Sequence, residues 1–452
     1  MKGIAISGIL TFILLLSGTI RAQEVWSLQK CIDYAYENNI QIKQQVINTN
    51  YSNNQLQSAK LKRYPTLGSQ ISHNYSFGLS RTQNYTYNKF NSSESDVSLQ
   101  ASVDLFAGFT KQNTIKQRQF ELQSSLEDLN KAKNDIAMQI TSAYLEILMD
   151  KELKDVAKVQ LDITKNLEDK TLKLVEAGSL AQGRLLEVQA QKAKEELQLV
   201  EAENRLQLAY LNLVQILDMK LTKNFEIETP ALSSIDMGAS FGLSDDVYST
   251  AVNIRPEIKS AEYKLKGYEK QFDVSKGALY PTLSFGASYF TRYNNKFYDK
   301  FDPVTQEPLS VMPFGDQLKN NAQKALGFTL NIPIFNQYQA KMQIKNAKLQ
   351  VESSTLELQN QKNNLRKEIE TAYTNASAAL NRYFSNEKAV TSMKEAFRYN
   401  EEKFNLGAVS SYDYNESKNN LTKAESDLLQ AKYEYIFRTK ILDFYKGVPI
   451  KL

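Results

Sequence analysis

Apolar residues return every seventh position along two stretches of the chain. In the first they are Ile115, Leu122, Leu129, Ile136 and Ala143, and in the second Ile344, Val351, Leu358, Leu365 and Ala372. A period of seven marks a helix packed along one narrow seam. Leu126, Ile140 and Ile147 add a second row in the first stretch, while Lys133 and its counterpart Lys362 interrupt it. So thin a seam suits helices lying side by side with wet flanks. Neither Pro nor Gly occurs from Thr110 to Glu176 or from Tyr338 to Asn405, so each stretch predicts one helix, roughly 100 Å long at 1.5 Å per residue. A compact soluble fold has no place for two of these. Each stops at a glycine, in EAGSL and NLGAVS, which is a usual C-terminal signal. Return helices follow at about 181–217 and 411–445, giving two long helical hairpins with tips at Gly178 and Gly407.

Ahead of each long helix the period changes to two. In VSLQASVDL (97–105) the apolar set is Val97, Leu99, Ala101, Val103 and Leu105; in LGFTLNIPI (326–334) it is Leu326, Phe328, Leu330, Ile332 and Ile334. Two weaker segments alternate in the same way, through Leu67, Ile71, Tyr75 and Phe77, and through Leu283, Phe285, Ala287 and Tyr289. These are four strands of about ten residues with one apolar and one polar face. An antiparallel sheet with one face on a core is the ordinary reading of any one of them. No other part of the chain has spare apolar surface to cover four, and a lone hairpin is marginal in water. Apolar faces turned outward suit a bilayer, where a closed barrel satisfies every backbone hydrogen bond. Four strands cannot close one, since about eight is the usual minimum. Two copies would supply eight strands and three copies twelve, and three leave a lumen wide enough to conduct solutes. The expectation is a homotrimer with four helical lanes per protomer.

The two halves are also written alike. Tyr64-Pro65-Thr66-Leu67 returns as Tyr280-Pro281-Thr282-Leu283, and Ala35, Ile42 and Lys43 match Ala251, Ile258 and Lys259, all at a spacing of 216. Beyond Phe106 the spacing is 229, where Tyr144 falls on Tyr373, Gly178 on Gly407, and Glu187 and Glu196 on Glu416 and Glu425. The difference of 13 residues must lie between the YPTL motif and Phe106 or its partner Phe335, as in an exposed loop that tolerates insertion. Pro65 and Pro281 end a helix, because the residue before a proline is driven from helical geometry. Tyr64 and Tyr280 stand where an interfacial aromatic belt would be. The motif marks the point where a helical tube becomes a membrane barrel.

Composition narrows the alternatives. The start, MKGIAISGILTFILLLSGTIRAQE, approaches the length of a membrane anchor, but its short flank and the small residues at Ala22-Gln23 favour a secretory signal peptide cut there. Cys31 is the only cysteine, so no intrachain disulfide is expected, and it is not at a lipobox. A formal net charge of +4 over 452 residues suggests no nucleic-acid surface. His73 is the only histidine, which excludes multi-histidine metal sites and leaves one possible nucleophile partner; its strand phase among Ile71, Tyr75 and Phe77 suits a structural or incidental role. No paired carboxylates or glycine-rich phosphate loop are recognisable, so no enzyme activity, catalytic residue, metal or cofactor is expected. The rival is a trimeric outer-membrane adhesin or structural coiled-coil protein, but an adhesin groups its strands at one end of the chain. A soluble coiled coil has no use for the strands.

With its duplicated layout, signal peptide, YPTL turns and tip motifs, the chain resembles the TolC-like outer-membrane efflux protein family over nearly its whole mature length. The resemblance implies a mainly α fold with a membrane β-barrel. Three protomers build a 12-stranded barrel continuous with a long periplasmic helical barrel. It implies an exit duct for efflux or type I secretion in the outer membrane of a Gram-negative bacterium, coupled through a periplasmic adaptor to an inner-membrane transporter. Gly178, Ser179 and Leu180, and Gly407, Ala408, Val409 and Ser410, correspond to the adaptor-contact tips. Asp413 and Glu416, six and nine residues past the second tip glycine, correspond to carboxylates that ring the entrance constriction. Val409 stands where members can carry a basic residue that holds the entrance closed. The expected division is signal peptide 1–23 and a first repeat 24–217, with helices 28–63, 109–176 and 181–217 and strands 66–79 and 95–106. A linker 218–244 follows. The second repeat is 245–447, with helices 245–277, 338–405 and 411–445 and strands 282–293 and 324–335, and the tail is 448–452.

Overall fold

The computed structural model describes residues 25–81, 87–220, 225–230, 242–305 and 308–451. The expected signal peptide and part of the expected linker lie outside them. The chain runs β1 (Val25–Trp26), α1 (Leu28–Asn38), α2 (Ile40–Leu61), β2 (Thr66–Arg81), β3 (Tyr87–Ala107), α3 (Thr110–Glu176), α4 (Gln182–Ile216), β4 (Glu226–Ile227), α5 (Ser244–Ile254), α6 (Pro256–Gly277), β5 (Thr282–Asn294), β6 (Tyr298–Phe301), β7 (Pro308–Val311), α7 (Phe314–Asn320), β8 (Gln323–Asn331), α8 (Gln339–Asn405) and α9 (Ser411–Tyr445).

The helices fall into pairs of equal length. α1 and α5 have 11 residues, α2 and α6 have 22, α3 and α8 have 67, and α4 and α9 have 35. Left-handed backbone recurs at matched places too: Gly108 and Phe109 have φ 56° and 62°, Gln337 and Tyr338 have 56° and 60°, and both tip glycines have 74°.

Two of the expected helices are each divided. In place of 245–277, α5 and α6 meet at Arg255, whose ψ of 128° is extended. Pro256 forces that geometry on the residue before it and then fits the first helical position. In place of 28–63, α1 and α2 meet at Asn39, also extended at ψ 130°. No proline is present there. The Asn39 carboxamide instead caps α2, its Oδ1 accepting from the amides of Gln41 at 2.9 Å and Ile42 at 3.2 Å. Its Nδ2 donates to the Ile216 carbonyl at 2.8 Å.

The chain forms two compact units, and each draws on both repeats. One comprises residues up to Ile47, Glu127–Lys259 and Gln359 onward; the other comprises Asn48–Leu126 and Ser260–Leu358. The first is a helical body around Trp26, Ile32, Ile140, Tyr144, Leu148, Leu213 and Ile436. A short parallel pairing of β1 with β4 sits in it, and the Tyr144 hydroxyl reaches the carbonyl of Glu228 at 2.7 Å. Cys31 is fully buried there, and burial pushes its thiol up to about 12.

The second unit holds an antiparallel sheet in the order β2-β3-β5-β8. Its strands span 16, 21, 13 and 9 residues rather than a uniform ten. The two hairpins share one register: Thr66 faces Ser102 and Leu67 faces Ala101, as Thr282 faces Asn331 and Leu283 faces Leu330. One face carries Leu67, Ile71, Val97, Leu99, Val103, Phe285, Ala287, Leu326, Phe328 and Leu330. The other carries Gln70, Ser72, Ser98, Gln100, Ser102, Ser284, Ser288 and Thr329. Among the described residues the outer edges of β2 and β8 have no strand partner.

The extra residues of the second half are not an irregular loop. They form the β6–β7 hairpin and α7, fastened by Gln317, which is fully buried. Gln317 Nε2 donates to the Met312 carbonyl at 2.7 Å and its Oε1 accepts from the Asn294 amide at 2.9 Å. No helix among the described residues is long and apolar enough to cross a membrane.

Candidate functional site

Three sets of residues were singled out by sequence: the helix-to-strand turns, the helix tips and two carboxylates. At the turns the helix closes with i to i−3 hydrogen bonds, from the Tyr64 amide to Leu61 at 2.9 Å and from the Tyr280 amide to Gly277 at 3.0 Å. Pro65 and Pro281 then carry the chain into Thr66 and Thr282, the first residues of β2 and β5. Both tyrosines are exposed, at 69% and 49%. The Tyr280 ring stands edge-on to Phe109, with centroids 6.1 Å apart. Gly108 lies against Gly277: a Cβ on Gly108 would come within 2.5 Å of the Gly277 carbonyl. Only glycine allows that approach with a left-handed backbone.

Both tips end in the same six-residue closure. The Gly178 amide donates to Val175 at 2.9 Å and the Ser179 amide to Leu174 at 2.8 Å; the Gly407 amide donates to Phe404 at 3.0 Å and the Ala408 amide to Lys403 at 2.8 Å. This pairing of crossed bonds around a left-handed glycine is the Schellman arrangement. The tips are neighbours. Leu167, Leu174, Leu180 and Val188 of the first hairpin and Phe404 and Val409 of the second line one groove of about 270 Å³, with Lys170 and Arg184 at its polar side. Arg184 donates to the Ser411 hydroxyl, and Lys170 Nζ to Asn405 Oδ1 at 3.1 Å.

The two carboxylates differ in surroundings. Asp413 belongs to a capping box at the start of α9: the Ser410 hydroxyl accepts from the Asp413 amide at 3.1 Å, and Asp413 Oδ2 accepts from the Ser410 amide at 3.2 Å and its hydroxyl at 2.7 Å. These bonds hold the Asp413 carboxyl below the usual carboxylate range. Glu416, one turn on, is exposed and shares a groove of about 550 Å³ with its repeat counterpart Glu187 and with Lys194, Asn415 and Asn419. The structure thus faces α4 and α9 with two repeat-related carboxylates.

Sequence patterns missed a buried cluster in the helical hairpins. Lys418 and Glu195 pair at 2.9 Å with side chains 3% and 4% exposed. The signal is present in retrospect: Ser411, Tyr414, Lys418 and Leu421 form the buried stripe of α9, and a lysine there requires a partner. His73 lies on the apolar face of β2, its Nδ1 2.7 Å from Ser95 Oγ. Among the described residues no group of three His, Cys, Asp or Glu side chains could hold a metal ion.

Against known proteins, the profile of the Outer membrane efflux protein family matches residues 31–218 and 247–442. The outer membrane efflux protein BepC of Brucella suis is 20% identical over 434 residues, 93% of this chain and 86% of its own. Among solved structures, CusC superposes with a TM-score of 0.78 at 16% identity, covering 93% of this chain and 92% of its own. The outer membrane protein VceC of Vibrio cholerae gives 0.75 at 16% identity, covering 94% and 97%. The mainly helical fold with a membrane-type sheet is therefore shared with these outer-membrane proteins, and the chain belongs to the outer membrane efflux protein family, as an outer-membrane efflux channel.

Proposed function

We propose that three copies of the chain close a twelve-stranded barrel in the outer membrane of a Gram-negative bacterium and extend a helical tunnel into the periplasm. The observation that carries this is the four-stranded sheet, with an apolar face, a polar face and two edges that have no strand partner among the described residues. Backbone groups along those edges need hydrogen bonds inside a bilayer, and pairing between copies supplies them. The polar face then lines the lumen and the apolar face meets lipid.

The groove shared by the tips is the docking place for a periplasmic adaptor, which couples the channel to an inner-membrane transporter. Its apolar floor of Leu174, Leu180, Phe404 and Val409 suits an apolar anchor on the partner, and Lys170 and Arg184 suit an acidic rim. Asp413 and Glu416, repeated three times, place carboxylates at the periplasmic entrance and favour cations there. Cell fractionation and cross-linking of the detergent-extracted mature protein test the assembly. The expected result is a trimer in the outer-membrane fraction; a soluble monomer would sink the proposal.

A further inference from the structure

The chain contains a template for its own contact with a second copy. Its two hairpins are repeat-related and identical in register, Thr66 to Ser102 and Thr282 to Asn331. Between them lies one seam, β3 with β5, that joins the end of one repeat to the start of the next. The free edges, β8 and β2, are also the end of one repeat and the start of another. Applying the spacings of 229 and 216 to the β3–β5 register therefore yields a register for β8 on the β2 of another copy.

Inside the chain, Ala107 faces Thr282, Ala101 faces Ala287, Leu99 faces Tyr289 and Glu94 faces Asn294. Transposed, Asn336 faces Thr66, Leu330 faces Ile71, Phe328 faces His73 and Gln323 faces Gly78 of the second copy. The chemistry agrees with the transposition. Leu330, Phe328 and Leu326 lie on the apolar face and meet Ile71, His73 and Tyr75, which lie on the same face; Thr329 meets Ser72 on the polar face. A shift by one residue would put apolar side chains opposite polar ones all along the seam.

A second observation comes from the end of β8. The last residues of β3, Val103–Ala107, extend past the start of β2 and pair with β5 alone. Their counterparts, Ile332 to Asn336, extend past the start of β5 and have no strand partner among the described residues; β8 stops at Asn331. Ile332, Ile334 and Phe335 are 55%, 94% and 72% exposed. The β3–β5 ladder has its bulge between Asp104 and Phe106, which transposes to Pro333 and Phe335. A proline is tolerated at such a bulge.

We infer that residues 332–336 become the end of β8 only by pairing with Thr66–Ser69 of a second copy, in the register Asn336 to Thr66 and Leu330 to Ile71. The inference rests on the proposed trimer and specifies its seam.

Cysteine cross-linking in the full-length protein tests it. β2 and β8 of one chain are three strand spacings apart, about 14 Å, so a disulfide between them must join two copies. Directly opposed Cα atoms in an antiparallel pair are about 4.5–5.5 Å apart, within disulfide range. The variants Leu330→Cys/Ile71→Cys and Phe328→Cys/His73→Cys should each oxidise to a covalent trimer on a non-reducing gel. The displaced pairs Leu330→Cys/His73→Cys and Phe328→Cys/Ile71→Cys should not. In the unsubstituted trimer, the Phe335 amide should be protected from hydrogen exchange. Preferential cross-linking by the displaced pairs, or fast exchange at Phe335, overturns the register. A native trimer that none of the four pairs cross-links removes this inference and leaves the channel proposal standing; a native monomer removes both.

Discussion

Lys418 donates to Glu195 across 2.9 Å in a site closed to solvent. The same ammonium donates to Thr164 Oγ1 at 2.5 Å and to the Gln160 carbonyl at 3.0 Å. All three of its protons are placed, and α9 of the second hairpin is pinned to both helices of the first. The repeat-related positions are Gln189 and Ala424, so the pin occurs once per chain.

Removing one partner strands the other. Lys418→Met should cost about 3–5 kcal/mol, and Lys418→Met/Glu195→Leu should recover much of it, because an apolar pair replaces the charges without an orphan. Denaturant midpoints of the four proteins of the double-mutant cycle measure this. Equal losses in the single and double variants would contradict it.

The cap on α9 should be acid-sensitive. Asp413 has its carboxyl lowered by the Ser410 hydroxyl and amide, so its contribution is fully present above the unfolded carboxyl value of about 3.9. It is lost as pH falls through the lower, folded value. Ser410→Ala should destabilise by about 1 kcal/mol at neutral pH, and the gap to the native protein should narrow in strong acid. A pH series of unfolding midpoints reads the gap directly.

Cys31 should be chemically silent in the folded protein. It is fully buried and its thiol is pushed up to about 12, so almost no thiolate exists at neutral pH. A chromogenic disulfide should titrate no thiol in native protein and one after denaturation. Rapid labelling of the native chain would show that the core around α1 opens.

The glycines divide into crowded and open ones. Gly108→Ala meets the Gly277 carbonyl at 2.5 Å with φ at 56°, whereas Gly407→Ala has nothing within 4 Å at φ 74°. The second should cost only backbone strain, about 1–2 kcal/mol. The first should cost distinctly more, seen as a lower melting temperature of the assembled protein. Equal melting temperatures would mean that the β3–α3 turn yields freely.

Glu416→Gln should lower the cation preference of the channel in planar bilayers and weaken block by divalent cations from the periplasmic side. The trimer should remain intact on a gel. An unchanged reversal potential would place the limiting charges elsewhere.

Much of this architecture is written in periods. The seven-residue rows, the glycine stops and the two-residue alternations mark the long helices, tips and strands because each depends on nearby residues. The breaks at Asn39 and Arg255 show where local signals differ: Pro256 announces one, while the other depends on a carboxamide reaching Ile216 from 177 positions away. The β1–β4 pairing and the Lys418–Glu195 pair are likewise products of distant chain segments. At the tips, the family resemblance pointed to Asp413 and Glu416. It could not reveal that one is bound in a capping box while the other shares a groove with Glu187.

The contact of Gly108 with Gly277 bears on how such a chain came to exist. A half-length ancestor with one hairpin would have needed six copies for twelve strands, and all six seams would have been identical. Fusion made alternate seams internal. There the backbone could close to glycine contact, while the matching positions at the remaining seams are Gln337 and Leu61. In the proposed trimer those side chains would keep the junction wider. On that reading, the joint that never has to find its partner by diffusion is free to tighten, while a joint made anew with every assembly would keep its bulk.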